Sequence, residues 1–166
     1  MGDQPDIGSS APRRDGVEQP RLDQAREERQ GVRAAFDRLE RAAASPATDR
    51  AREWCEVFAS RLAELSLAFT NHVELTEAKD GLFAEIIEAA PRLAHRTDEL
   101  RQDHRDIEAA ISRAAARLDA EPVPDHKAVV EARDAAVDLM ARITRHRHLG
   151  AELVYDAYNV DIEAAD

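Results

Sequence analysis

Cysteine occurs once in this chain, at Cys55, so no internal disulfide can form and a zinc site built on cysteine pairs is excluded. Glycine is scarce between the ends, and aromatic residues make up only 4% of the 166 positions. That scarcity, set beside abundant Ala, Arg, Glu and Leu, favours helices and predicts an all-α protein. No stretch approaches the run of about 18 apolar residues that spans a bilayer. The opening MGDQPDIGSSAPRRDG also lacks the apolar segment of a signal peptide. The cytoplasm is therefore the expected compartment. Positive charge is in deficit, with a formal net charge of -11. Non-specific binding to nucleic acid or to an anionic membrane needs a basic patch, so neither is expected as a partner. There is no glycine-rich phosphate loop, and no serine or cysteine is placed with a histidine as a nucleophile site. Nothing marks the chain as an enzyme.

What is present is helical periodicity divided by breakers, on a length that suits one domain. Residues 1–19, rich in Gly, Pro, Ser and charge, read as a tail that cannot bury enough surface to offset its ordering. A helical pattern runs from about Arg21 to Ala44, stops at SPATD and resumes near Thr48. The second helix carries Phe58, Leu62, Leu65, Phe69 and His72 at steps of three and four. It is broken at KDGLF by Gly81, and Pro91 opens a third helix with Leu100, Ile107, Ile111, Ala114 and Leu118 on one face. After EPVPD, where Asp125 is placed to cap, a fourth helix runs from near His126 to about Tyr158. Four helices on short connections predict an antiparallel up-down bundle over residues 20–158, with 159–166 as a C-terminal tail. Trp54 and Tyr155 are read as partly exposed, which would mark a face for a homodimer or a protein partner.

The two halves of this pattern resemble each other. VRAAFDRLERAA from Val32 aligns without gaps on LRQDHRDIEAAI from Leu100, sharing an Arg, a Glu and an Ala in register. LSLAFTNH, ending at His72, aligns on LMARITRH, ending at His146. The alignment equates His72 with His146 and His104 with Phe36. Helical geometry then sorts the six histidines. His104 sits on the apolar stripe between Leu100 and Ile107, and His95, nine positions earlier, faces the other way. His146 follows Ile143 by three residues on the inner face, whereas His148 points about 140° away. His126, at a helix start, is exposed. The inward set is His72, His104 and His146, one from each of three helices.

Three buried imidazoles need partners, because each ring nitrogen seeks a hydrogen bond or a metal ion. A carboxylate would complete such a site. Glu77 follows His72 by five residues and Glu152 follows His146 by six, so a long side chain or a local bulge near Gly150 would have to bring either one in. His148 and Glu152 have the four-residue spacing of a helical pair, but on a flank of the helix, and rank second. Imidazole with carboxylate suits iron, zinc or manganese.

At HVELTE (His72 to Glu77), the following GLF (Gly81 to Phe83), DHRDI around His104 and HRHLGAELVYDAY (His146 to Tyr158), the chain resembles the hemerythrin-like, or HHE cation-binding, proteins. The resemblance spans roughly residues 21–158. It implies a four-helix bundle holding non-haem iron with histidines and carboxylates, and a role in binding or sensing dioxygen, nitric oxide or another small oxidant, or in iron handling. The departures are specific: Phe36 stands where the first helix of that family supplies a histidine, Thr76 where its glutamate follows His72 by four, and Leu100 and Glu108 flank His104 where a second histidine is common. These departures point from a di-iron centre towards one metal held by His72, His104, His146 and one of Glu77 and Glu152. The competing expectation is a metal-free bundle that serves as a structural or protein-interaction module.

Overall fold

The helices end where the sequence places its breakers, with three shifts that have local causes. The computed structural model describes residues 18–120 and 123–159 of the chain. They form α1 (Glu18–Ala44), α2 (Ala51–Glu77), a short α3 (Leu82–Ala89), a 3₁₀ turn (Pro91–Leu93), α4 (Ala94–Asp119) and α5 (His126–Asn159), with no strand among the described residues. Asp125 caps α5 as expected, its Oδ1 accepting the Ala128 backbone N–H at 3.0 Å. Pro91 opens the 3₁₀ turn that leads into α4, a position where its missing N–H is not needed.

The first shift is at the front of α1, which starts at Glu18 and takes in two residues expected of the tail; residues 1–17 lie outside the described part, as do 160–166 at the other end. The second is the start of α2, three residues later than Thr48. Asp49 adopts a left-handed conformation (φ 58°), which aspartate tolerates better than most residues, and so delays the helix. The third is α3, absent from the sequence reading. LFAEIIEA is too short for its periodicity to stand out, yet Phe83 and Ile86 are buried against the ends of α4 and α5.

Successive long helices run antiparallel, as their cross-contacts require. Arg38 of α1 pairs with Glu64 of α2 at 2.7 Å, and Arg133 near the start of α5 donates to the carbonyls of Ala43 and Ser45 at the end of α1. Arg96 and Asp103 of α4 pair with Asp156 and Arg145 of α5 in reversed order. The stripes of the four long helices meet in one core that includes Leu39, Phe58, Leu65, Phe69, Ile107, Leu139 and Ile143. A second, smaller cluster of Phe83, Ile86, Leu93, Leu100, Leu153 and Ala157 closes the end that carries α3. Phe36 packs against the larger core, in keeping with an apolar role. Trp54, read as partly exposed, is buried: its indole stacks on Phe58 and its Nε1–H donates to the Ser45 carbonyl at 3.2 Å. Tyr155 is exposed. No helix among the described residues is long and apolar enough to cross a membrane.

The link from α2 to α3 depends on one glycine. A Cβ added at Gly81 would lie 2.4 Å from the Leu75 carbonyl oxygen and 2.7 Å from that of Thr76, both backbone atoms of the last turn of α2. Gly81→Ala is expected to lower stability by about 1–3 kcal/mol through this overpacking. Urea unfolding followed by circular dichroism reads it, and an unchanged midpoint would show that the α2–α3 turn can relax freely.

Candidate metal centre

On each of three helices, a histidine takes a place in the 3–4 rhythm that an apolar residue would otherwise hold. In α2 the buried series Cys55, Phe58, Leu62, Leu65, Phe69 leads to His72 and Thr76. In α4 it runs Thr97, Leu100, His104, Ile107, Ile111, and in α5 Leu139, Ile143, His146. Because α4 runs antiparallel to both α2 and α5 and the three are in register here, the three imidazoles fall in one layer, between the large core and the small one. Ring centroids are 5.3 Å apart for His72 and His104, 5.8 Å for His72 and His146, and 4.7 Å for His104 and His146. Phe69 lies edge-on beneath His104 and His146, and Phe83 of α3 stacks on His104 at 5.6 Å with its ring nearly parallel.

The cluster offers one nitrogen from each ring, all within 4.8 Å of one another. Three nitrogens on one tetrahedral ion are about 3.3 Å apart at ordinary metal–nitrogen distances. The cluster is therefore assembled, and small rotations of its rings would close it.

A neighbouring side chain lies near Nδ1 of each ring. Nδ1 of His104 lies 2.6 Å from Oε1 of Glu77, and Arg101 approaches the other Glu77 oxygen at 4.0 Å while resting over Phe83. Nδ1 of His72 lies 3.5 Å from the Thr76 hydroxyl, one helical turn on. Nδ1 of His146 faces Oδ2 of Asp103 at 3.9 Å, and the other Asp103 oxygen accepts from Arg145 at 2.5 Å. A carboxylate only accepts, so Nδ1 of His104 carries the proton. In a neutral ring that leaves Nε2 with a bare lone pair, and this Nε2 is buried with no hydrogen-bond partner. Nδ1 of His146 and Oδ2 of Asp103 are likewise buried and unpartnered, and they face each other.

All three rings are held neutral. Burial, with Arg29 adding, pushes His72 down to about 4 against the pull of Glu77. Burial, then His72, Arg101 and Arg105, pushes His104 down to about 3. Burial, then His104, His72 and Arg145, pushes His146 down to about 3. Burial dominates each, so the short His104–Glu77 contact is the hydrogen bond of a neutral imidazole to a carboxylate. Neutral imidazole is also the form that ligates metals.

The structure brings together the three histidines chosen from helical geometry and separates them from the other candidates. Glu77 reaches the centre only through His104, against whose back it lies. Glu152 is on the surface, 3.2 Å from His148 and 3.8 Å from Arg96. His148 is exposed, and α5 continues through Gly150 without the bulge that would have turned Glu152 inward. His95 and His126 are exposed as expected. Asp103 was missed, although it stands in the same DHRDI stretch as His104, because its burial against α5 cannot be read from its own helix. The layer opens into a cleft of about 830 Å³ whose lining includes Phe69, Phe83, Leu100 and the three histidines.

The low histidine pKa values set a pH dependence for the metal-free protein. With folded values near 3 to 4 against about 6.5 in the unfolded chain, the unfolded state binds protons that the folded state refuses. Stability contributed by these groups is thus fully present above about pH 6.5 and falls as pH drops towards 4. In chelator-treated protein, the midpoint of thermal unfolding is expected to drop over this window, and His104→Leu to flatten the drop. Equal slopes in the two proteins would mean that the rings protonate in place.

Comparison with known proteins adds no relative to this geometry: no protein-family model, no curated protein and no solved structure matches the chain.

Proposed function

We propose that the chain binds one divalent transition-metal ion, iron or zinc before manganese, through His72, His104 and His146, as a divergent hemerythrin-like bundle. The observation that carries this reading is the buried, unpartnered Nε2 of His104, deprotonated because Nδ1 is committed to Glu77. A carboxylate behind a ligating histidine fixes its tautomer and raises its basicity, and Glu77 has that relation to His104. The three donors are neutral and no carboxylate joins them in the cluster, so the donor set suits a single ion and not a bridged pair. Such an ion would be held by the three histidine nitrogens and would supply Lewis acidity beside the cleft. A small ligand such as dioxygen, nitric oxide or another oxidant, or the metal itself as cargo, is the use that the resemblance at HVELTE, DHRDI and HRHLGAELVYDAY suggests. The rest falls to the chain: Phe69 and Phe83 pack against the rings, Glu77 orients His104, and Thr76 lies beside Nδ1 of His72.

Elemental mass spectrometry on protein purified without an affinity tag is expected to find about one iron or zinc per chain. The His104→Ala, His146→Ala double variant should retain little. Glu77→Gln keeps the hydrogen-bond geometry but removes the charge, and metal affinity is expected to fall about 10- to 100-fold. Sub-stoichiometric metal in parent and double variant alike, with a melting temperature indifferent to added iron and zinc, would reject the metal reading and leave the metal-free interaction module.

A further inference from the structure

The cleft above the histidine layer reverses the electrostatic character of the chain. The protein has 34 acidic residues and a net charge of -11, yet no Asp or Glu is among the described residues that line the cleft. Four arginines line it instead: Arg29 and Arg33 from α1, Arg145 and Arg147 from α5. Arg145 is tied to Asp103, and Arg29 has an interaction of its own. Arg33 and Arg147 make no hydrogen bond or ion pair with another described residue and are exposed. Besides these exposed arginines and the histidines, the lining is mostly apolar and includes the buried Phe69, Phe83, Leu100 and Leu153, with Leu82 and Val154. Its volume of about 830 Å³ falls within the range of small-molecule sites.

From this combination we infer that the cleft binds a small organic carboxylate, its charged group held by Arg33 and Arg147 and its apolar body inserted towards the histidine layer. The inference deepens the metal reading, since it takes that centre as the floor of the cleft and names the class of molecule brought to it. A guanidinium fork matches a carboxylate with two parallel hydrogen bonds. The lining segments are helical, so their backbone N–H groups are mostly engaged within the helices and the anion must be held by side chains. The apolar walls set the second requirement. A bare inorganic anion would leave them wet, and an uncharged apolar molecule would leave the arginines unused. A carboxylate on a chain of about eight carbons, or on a single aromatic ring, has both the charged end and the apolar body that this lining calls for, and is small enough for the cleft volume.

The test is titration calorimetry on the full chain after metal removal by chelator, with sodium octanoate, 1-octanol and inorganic phosphate as separate probes. Octanoate is expected to bind about tenfold or more tightly than 1-octanol, and phosphate not measurably. The Arg33→Ala, Arg147→Ala double variant changes two exposed side chains outside the core. It is expected to lose about tenfold or more of the octanoate affinity, as the removal of charge-assisted hydrogen bonds does, while its 1-octanol binding stays the same. Octanoate no tighter than 1-octanol, octanoate unaffected in the double variant, or phosphate bound as well as octanoate would each overturn the inference. Metal content is read separately. Zinc at one per chain without octanoate binding sinks the carboxylate site alone, and octanoate binding to a chain that takes up no zinc or iron sinks the metal reading alone.

Discussion

Burying three imidazoles at one level of a helical bundle is the constraint around which the described structure is arranged. A buried polar atom without a partner costs about 1–3 kcal/mol, and a domain of this size has only about 5–15 kcal/mol of net stability. Three such atoms, on Asp103, His104 and His146, are therefore a substantial burden. Leucine at any of the three histidine positions would satisfy the 3–4 rhythm of its helix without that cost. The layer persists between two apolar clusters, and the bond of His104 to Glu77 with the approach of Asp103 to His146 offsets only part of what burial demands.

The end of the bundle is built to serve this layer. Gly81 lets the chain turn back tightly against the last turn of α2, and α3 then lays Phe83 flat on His104. Arg101 lies over the same phenylalanine and approaches Glu77, so packing and electrostatics act on one imidazole from two sides. On the opposite flank, Arg145 holds one oxygen of Asp103 while the other is directed at His146. Two arginine–carboxylate–histidine chains thus run from the surface to the centre. In each, the carboxylate's charge is met by a cation on its outer side, while burial keeps the imidazole neutral.

Charge is distributed with the same economy. Acidic residues cover much of the chain, but the cleft over the histidines is lined by arginines and apolar groups. Outward repulsion between like charges keeps such a molecule dispersed, while a mouth of opposite sign concentrates anions locally. The histidine layer and the arginine-lined cleft that it opens into thus lie at the same level of the bundle.

Periodicity alone determined much of this protein. Steps of three and four along α2, α4 and α5 dictate which side chains are inward, and His72, His104 and His146 were legible because their neighbours Phe69, Ile107 and Ile143 define the stripes without ambiguity. Asp125 and Pro91 were legible as helix starts because capping is a local matter of one or two residues. The role of Glu77, the surface position of Glu152, the burial of Trp54 and the place of Asp103 were not. Each depends on the rotation and register of one helix against another, which no single helix encodes. A carboxylate five residues after a histidine is off that histidine's face, and only the neighbouring α4 reveals that it lies against a different imidazole. The sequence by itself determined the helices and their inward faces, because those are properties of one helix at a time. Only the tertiary structure decided which carboxylate backs which histidine and that the cleft is lined by arginine, because those depend on contacts between residues far apart in the chain.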